Sequence, residues 1–327
     1  MKLVLTILIL TFGIVGNAIN TLIFAKKIMR SSPTFRFLLY LSIADAIVLI
    51  MGMNEILLKS DYSFGLRDSS LFVCNIQKFI SYSSTHMSSC LSIVVNVYRA
   101  NFISNLTYKK RNIIKKRVRF QTTSLVDAIS TIIFVIVFAL NSHFILFLKP
   151  FYPVSFGEDL KSNETSMNAY HIFRCVPYQN SFYEYFLVHA WFWIDLLIFS
   201  IIPFVFMAPC SIIILHNIKR LNKENSLTFL SEQNSNKFVK RNLREKIQLS
   251  LMLISSNVYF LLTMVIFWTW FLIENRFRLN RETFETHSKR SMAYALLFSN
   301  NAFGKFFYSI FSTQYRIELN RFLNKIV

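Results

Sequence analysis

The stretch NAFGKFFYSIFSTQYR, residues 301–316, sets one lysine, Lys305, inside an apolar run and then turns amphipathic. On its N-terminal side, from Met292, the run reads as a membrane-spanning helix. From residue 313 to 325 the sequence predicts a short amphipathic helix lying along a membrane surface. A lysine at that depth is costly unless it finds a partner or reaches water. Its meaning depends on what the rest of the chain brings to the same level.

Outward from this stretch the chain is 327 residues long, 54% hydrophobic, with 35 Phe but only six Gly and six Pro. That is too apolar for a soluble domain of this size. Runs of about 20 apolar residues are the signature of spanning helices. Candidates run roughly over 3–25, 36–58, 71–98, 124–148, 186–217, 247–273 and 291–311. The fold class expected is therefore an all-α membrane protein. It is a seven-transmembrane helix bundle with a short amphipathic eighth helix, one domain over residues 1–327. The first run is as long as a spanning helix and shows no clear cleavage site, so it is read as helix rather than signal peptide.

A net charge of +19 invites a nucleic-acid reading, and its distribution argues against one. With the N-terminus outside, the segments facing the cytosol (26–36, 99–121, 218–246 and the tail from 312) carry 23 Lys and Arg. The external segments (Lys2, 59–70, 149–184 and 274–290) carry 11, and Lys78 and Lys305 lie within helices. This is the positive-inside pattern, N-out and C-in. The basic loops meet water and anionic lipid, with no nucleic-acid partner expected.

The same topology sorts the cysteines. Cys74, at the outer end of helix 3, and Cys175, in the second external loop, face an oxidising compartment, while Cys90 and Cys210 fall within the bilayer. One bridge, Cys74–Cys175, is expected. Asn163-Glu164-Thr165 is a glycosylation acceptor in that external loop, and Asn105-Leu106-Thr107 has the same form on the cytosolic side. No HEXXH, Gly-rich phosphate loop, nucleophile elbow or metal-ligand spacing is present, and no repeated half suggests a transporter. An enzyme is not expected.

The order of landmarks narrows the class. GIVGN places Asn17 in helix 1, LSIAD places Asp45 in helix 2, and VYRA places Arg99 at the inner end of helix 3, 25 residues after Cys74. At 1.5 Å per residue that spacing is roughly 38 Å, one membrane crossing with its interfaces. Pro203 follows in helix 5 and Tyr308 near the inner end of helix 7. Over its whole length this series resembles the rhodopsin-like G-protein-coupled receptors. FALNSHF and WFWIDLLIFSIIPFVFM look like the invertebrate FMRFamide-type neuropeptide receptors.

The resemblance implies a plasma-membrane receptor for a small neuropeptide that activates a heterotrimeric G protein. A chemosensory receptor for small molecules, or a signalling-impaired relic, are the alternatives. It places G-protein coupling at Tyr98, Arg99 and Tyr308, and an intramembrane ion site at Asn17, Asp45, Ser88 and Asn300. The sequence also departs from the family. Tyr98-Arg99-Ala100 lacks the acidic neighbour of the arginine, Thr263 and Val265 stand where helix 6 has Trp and Pro, Ser211 replaces a tyrosine, and Gly304-Lys305 replaces Asn-Pro. Ser81 and Phe298 occupy the positions that bind amines and retinal, which argues against both ligands.

No cofactor is expected beyond a sodium ion near Asp45, or Lys305 in its place. Two readings of Lys305 stand. In one it pairs with Asp45 as a tethered cation. In the other it snorkels to the cytosolic headgroups. Ligand candidates in the outer half are Glu55, Gln77, Tyr82, Glu184, Tyr185 and Asp195. Glu55 and Asp195 are the carboxylates suited to a guanidinium.

Overall fold

The computed structural model describes residues 2–61, 70–110, 123–148, 182–229, 237–276, 295–303, 308, 310 and 312–324. Among these residues the chain is almost wholly helical and contains no β-strand. Helix α1 is Lys2–Phe24, α2 Pro33–Asp61 and α3 Leu71–Lys110. Helix α4 is Thr123–Asn141, continued by a short turn of helix at His143–Phe147. Helix α5 is a composite over residues 182–229 that ends in Ile202–Phe229, and α6 is Lys237–Arg276. Residues 295–303 form α7, and α8 is Thr313–Leu323.

Five segments are long and apolar enough to cross a membrane: Ile7–Phe24, Pro33–Gly52, Thr123–Phe147, Phe182–Leu221 and Ile247–Trp270. Their outward faces are apolar. Leu8, Phe12, Ile132, Ile136, Phe204, Ile212, Leu262 and Val265 are all exposed. A belt of that kind is far larger than water tolerates on a soluble protein and is what lipid requires. The observations support a multi-pass membrane protein.

Helix α3 is not among the five. Its middle, SYSSTHMSSC at residues 81–90, is too polar. Packing explains why that is tolerated: α2, α4 and α5 all lie against α3. A helix enclosed by protein need not be apolar on every side, and its polar groups can bond between helices. The expected span at 291–311 falls partly outside the described residues.

Helices α3, α5 and α6 run further than expected. Helices α3 and α6 are each 40 residues, ~60 Å at 1.5 Å per residue, about twice the hydrocarbon thickness. The segments 99–110, 218–229 and 237–246, expected as loop, continue as helix. In 237–246, KFVKRNLREK, the good helix formers Lys, Arg, Glu and Leu carry the helix beyond the apolar run.

The core sits where α1, α2, α3 and α6 meet, around Phe24, Phe37, Leu38, Leu91, Val95 and Met252. Polar clasps tie the helices. Asp127 of α4 accepts from Arg36 (2.6 Å) and Tyr40 (2.7 Å) of α2. Asn217 of α5 donates to Ser104 of α3 at 3.1 Å. Helix α8 begins at Ser312, whose hydroxyl caps the Tyr315 N–H. It docks on α1 through Tyr315, which donates to Asn20 Oδ1 at 2.7 Å, and on the turn after α1 through Glu318, which accepts from Lys26 at 3.0 Å.

Candidate functional site

Polar side chains inside lipid-facing helices are costly and must be satisfied by one another. Three clusters of such side chains stand among the described residues.

The first surrounds Asp45, which is buried in α2. Its Oδ1 accepts from Ser88 Oγ of α3 at 2.5 Å and from Asn301 Nδ2 of α7 at 2.7 Å. Asn17 of α1 donates to the backbone oxygen of Asn301 at 2.8 Å. Four helices thus share one hydrogen-bonded knot. Asn17, Asp45 and Ser88 come together as expected, but the asparagine of α7 that reaches the carboxylate is Asn301, not Asn300. As arranged, Asn301 turns its N–H₂ toward Asp45, so the carboxylate is held by hydrogen bonds from α3 and α7. Among the described residues no group of three or more His, Cys, Asp or Glu gathers around a metal position. Lys305 lies outside the described residues, and so does its expected pairing with Asp45.

The knot needs close helices. At Gly13 of α1, an added Cβ would stand 2.5 Å from Ala302 Cβ, 2.8 Å from Ala302 Cα and 2.7 Å from Leu49. Only a residue without a side chain admits α7 at this distance.

The second cluster lies in α3, α5 and α6, one turn from Arg99. Asn96 and Asn257 exchange two amide hydrogen bonds, 2.7 and 3.1 Å, and Asn257 also donates to Ser211 Oγ at 2.8 Å. Arg99 itself is 3 % exposed, and its Nε has no hydrogen-bond partner. Its guanidinium lies 5.8 Å from the Phe102 ring centroid. Tyr98 packs on Phe37 and Phe102. Tyr308 is buried too, with its ring against Phe24 and Tyr315.

The third cluster lies toward the Cys74 end. His86 of α3 is fully buried, and its Nε2 lies 2.9 Å from Asp195 Oδ1 of α5. Asn141 Nδ2 of α4 lies 3.2 Å from His86 Nδ1. An amide donor on Nδ1 leaves Nε2 as the protonated nitrogen, the tautomer that donates to the carboxylate. The Asp195 side chain is 28 % exposed, so the carboxylate can still take a second donor. Aromatic rings wall the cluster: Tyr82 stacks on Phe144 at 4.6 Å, and Trp191 meets Tyr82 edge-on at 6.0 Å. Asn141 Oδ1, His143 Nε2 and Trp191 Nε1 are buried without partners.

Helix α5 widens on either side of Asp195. Two wide π-type stretches, Phe186–Trp191 and Leu197–Ile201, flank the α-helical turn Phe192–Leu196. Such widenings recur at functional sites. Pro203 follows the second. Its missing N–H and the clash with the carbonyl four residues back are accommodated by a locally wider helix.

Of the other ligand candidates, Gln77 is half-buried with Oε1 unpartnered, and Tyr185 is exposed and stacked on His189. Glu184 lies in the first turn of α5. The structure places the backbone of Glu55 in α2 and describes nothing of its side chain. Cys74 is buried, and Cys90 and Cys210 are free thiols. Cys175 and Asn163 lie outside the described residues. The sequence reading did not single out His86, Asn96, Asn141, Asn257 or Asn301. For Asn141, Asn257 and Asn301 the signal is a polar residue in an apolar run, whereas His86 and Asn96 lie in the more polar α3, where no such contrast marks them. No protein-family model matches the sequence, and neither does any curated protein.

Proposed function

We propose that the chain is a multi-pass receptor of the plasma membrane, N-terminus outside and C-terminus cytosolic, of the rhodopsin-like G-protein-coupled class. In this reading a peptide enters from the Cys74 end, and the Arg99 end answers to a heterotrimeric G protein. The observation that carries it is the Asp45 knot. One buried carboxylate joins α1, α2, α3 and α7 through groups that can re-pair when helices shift. Simple stability would be served as well by apolar packing.

Asp195 is the proposed ligand carboxylate. It is oriented by His86 and Asn141, set in a stretch of α5 that is already distorted, and walled by rings suited to an aromatic side chain. A Cys74–Cys175 bridge would fasten the loop above it. The proposal assigns no catalysis. The rival, a receptor relic that binds without signalling, is favoured by the missing carboxylate beside Arg99.

The test is a peptide-library screen of cells expressing the chain, read as cAMP and calcium. The expected result is a response to a cationic, aromatic peptide that Asp195→Asn reduces at least tenfold in potency and Arg99→Ala abolishes with surface binding intact. A peptide that binds but drives no response from the unaltered chain supports the relic. A hit whose potency ignores Asp195→Asn removes the proposed ligand carboxylate.

A further inference from the structure

The neighbours of Arg99 raise a mechanical question. Tyr98 and Ala100 flank it, and among the described residues no carboxylate pairs with it. Something else must hold α6 against α3 at this end of the bundle. One turn away, ~4.5 Å along α3, lies the Asn96–Asn257–Ser211 cluster, and all three residues are buried.

Every donor of these side chains is used. Asn96 Nδ2 donates to Ser92 O (2.8 Å) and to Asn257 Oδ1 (3.1 Å). Asn257 Nδ2 donates to Asn96 Oδ1 (2.7 Å) and to Ser211 Oγ (2.8 Å). Ser211 donates to Met207 O at 2.8 Å. A saturated network of this kind specifies one geometry.

It is also asymmetric. Asn96 and Ser211 are each anchored to the backbone of their own helix, whereas all three hydrogen bonds of Asn257 cross to other helices. Asn257 is a tongue carried by α6, and its receptacle is built on α3 and α5. Apolar layers lie on both sides, Cys210 and Ile214 on one and Met207 and Phe260 on the other. If α6 moved away, the amides would be stranded among apolar groups unless water followed from the Arg99 end.

We infer that Asn257 of α6, seated on Asn96 and Ser211, is a latch that keeps the Arg99 end of the bundle closed and releases as a unit when water enters. The latch stands on this geometry alone. What its release accomplishes rests on the receptor reading above.

The test is a distance measurement that uses neither ligand nor G protein. Spin labels are placed on α3 at residue 101 and on α6 at residue 246 through ketone-bearing residues, because Cys90 and Cys210 are free thiols. The chain is held in lipid nanodiscs and read by pulsed electron resonance. The unaltered chain should show one dominant short distance. Asn257→Ala should raise the ratio of long to short distances by roughly 5- to 30-fold, the effect of losing one or two kcal/mol. Ser211→Ala removes one leg and should shift the ratio less, and it decides the matter if Asn257→Ala does not fold. The paired change Asn96→Leu with Asn257→Leu removes the stranded polar atoms and restores packing, so it should return the distribution to the short distance. Unchanged distributions in the folded single variants would overturn the latch. So would a double variant more open than Asn257→Ala. A latch that passes while the chain activates no G protein would leave the inference intact and remove only the receptor reading.

Discussion

Asn300 and Asn301 are adjacent in sequence, yet a helix turns neighbouring side chains about 100° apart. Only one of them can face Asp45, and it is Asn301. The grouping of Asn17, Asp45 and Ser88 was implied by the family resemblance, since Ser88 sits in the polar stretch SYSSTHMSSC, which by itself singles out no residue. The register of α7 was not legible, because Gly304-Lys305 gives a weak anchor from which to count. The distinction is measurable. Asn301→Ala should lower stability by about 1–3 kcal/mol, since it strips a buried carboxylate of a donor. Half-buried Asn300→Ala should stay within about 0.5 kcal/mol. Thermal unfolding in detergent compares the two, and equal losses would reverse the assignment. Gly13 makes a second residue-scale prediction. Its Cβ would collide with the backbone of Ala302, which cannot swing aside as a long side chain can. Gly13→Ala should destabilise by about 1–3 kcal/mol, and pairing it with Ala302→Gly should recover part of the loss in the same melting experiment.

At the scale of elements, the five long apolar helices were readable as runs of about 20 apolar residues, and their ends were not. The apolar run in α6 begins near residue 247, while the helix begins at Lys237. Good helix formers carry it past the point where burial ends. The distortions of α5 were likewise hidden. Pro203 announces a local problem in the helix, but not the two wide turns that place Asp195 between them. Helix α8 was legible as amphipathic, and its docking adds a pH dependence. Glu318 is held below its ordinary value of 4.5, first by the Lys26 hydrogen bond and then by Arg321. A carboxylate with a depressed folded-state value contributes stability in full above its ordinary value and loses it as pH falls below. Hydrogen exchange of residues 313–323 should therefore speed up as pH drops below about 4.5, after correction for intrinsic rates. Glu318→Gln should exchange faster at neutral pH and lose most of that dependence. Equal slopes for the two proteins would show that Glu318 does not hold the helix.

At the scale of the whole molecule, the excess of Lys and Arg on alternate segments is the basis of the proposed orientation, and two asparagines test it in opposite senses. Glycosidase treatment of chain made in a secretory system should shift the mass of the unaltered protein but not of Asn163→Gln. A glycan mapped to Asn105 would invert the proposed topology. Sequence alone carried the helical, multi-pass membrane class. The pairings of those residues across helices, His86 with Asp195 and Asn96 with Asn257, come from residues 109 and 161 apart in the chain. No local pattern encodes such distant contacts. The central claim is that this helical assembly transmits to a G protein. The most direct measurement is the rate of guanine-nucleotide exchange on purified heterotrimers, with the chain reconstituted in nanodiscs and the latch released by Asn257→Ala so that no ligand is needed. The account predicts exchange faster than with empty nanodiscs for at least one Gα class, and return to the empty-nanodisc rate when Arg99→Ala is added. Exchange equal to empty nanodiscs across all Gα classes, from a chain whose helix ends are shown to be open, would contradict it.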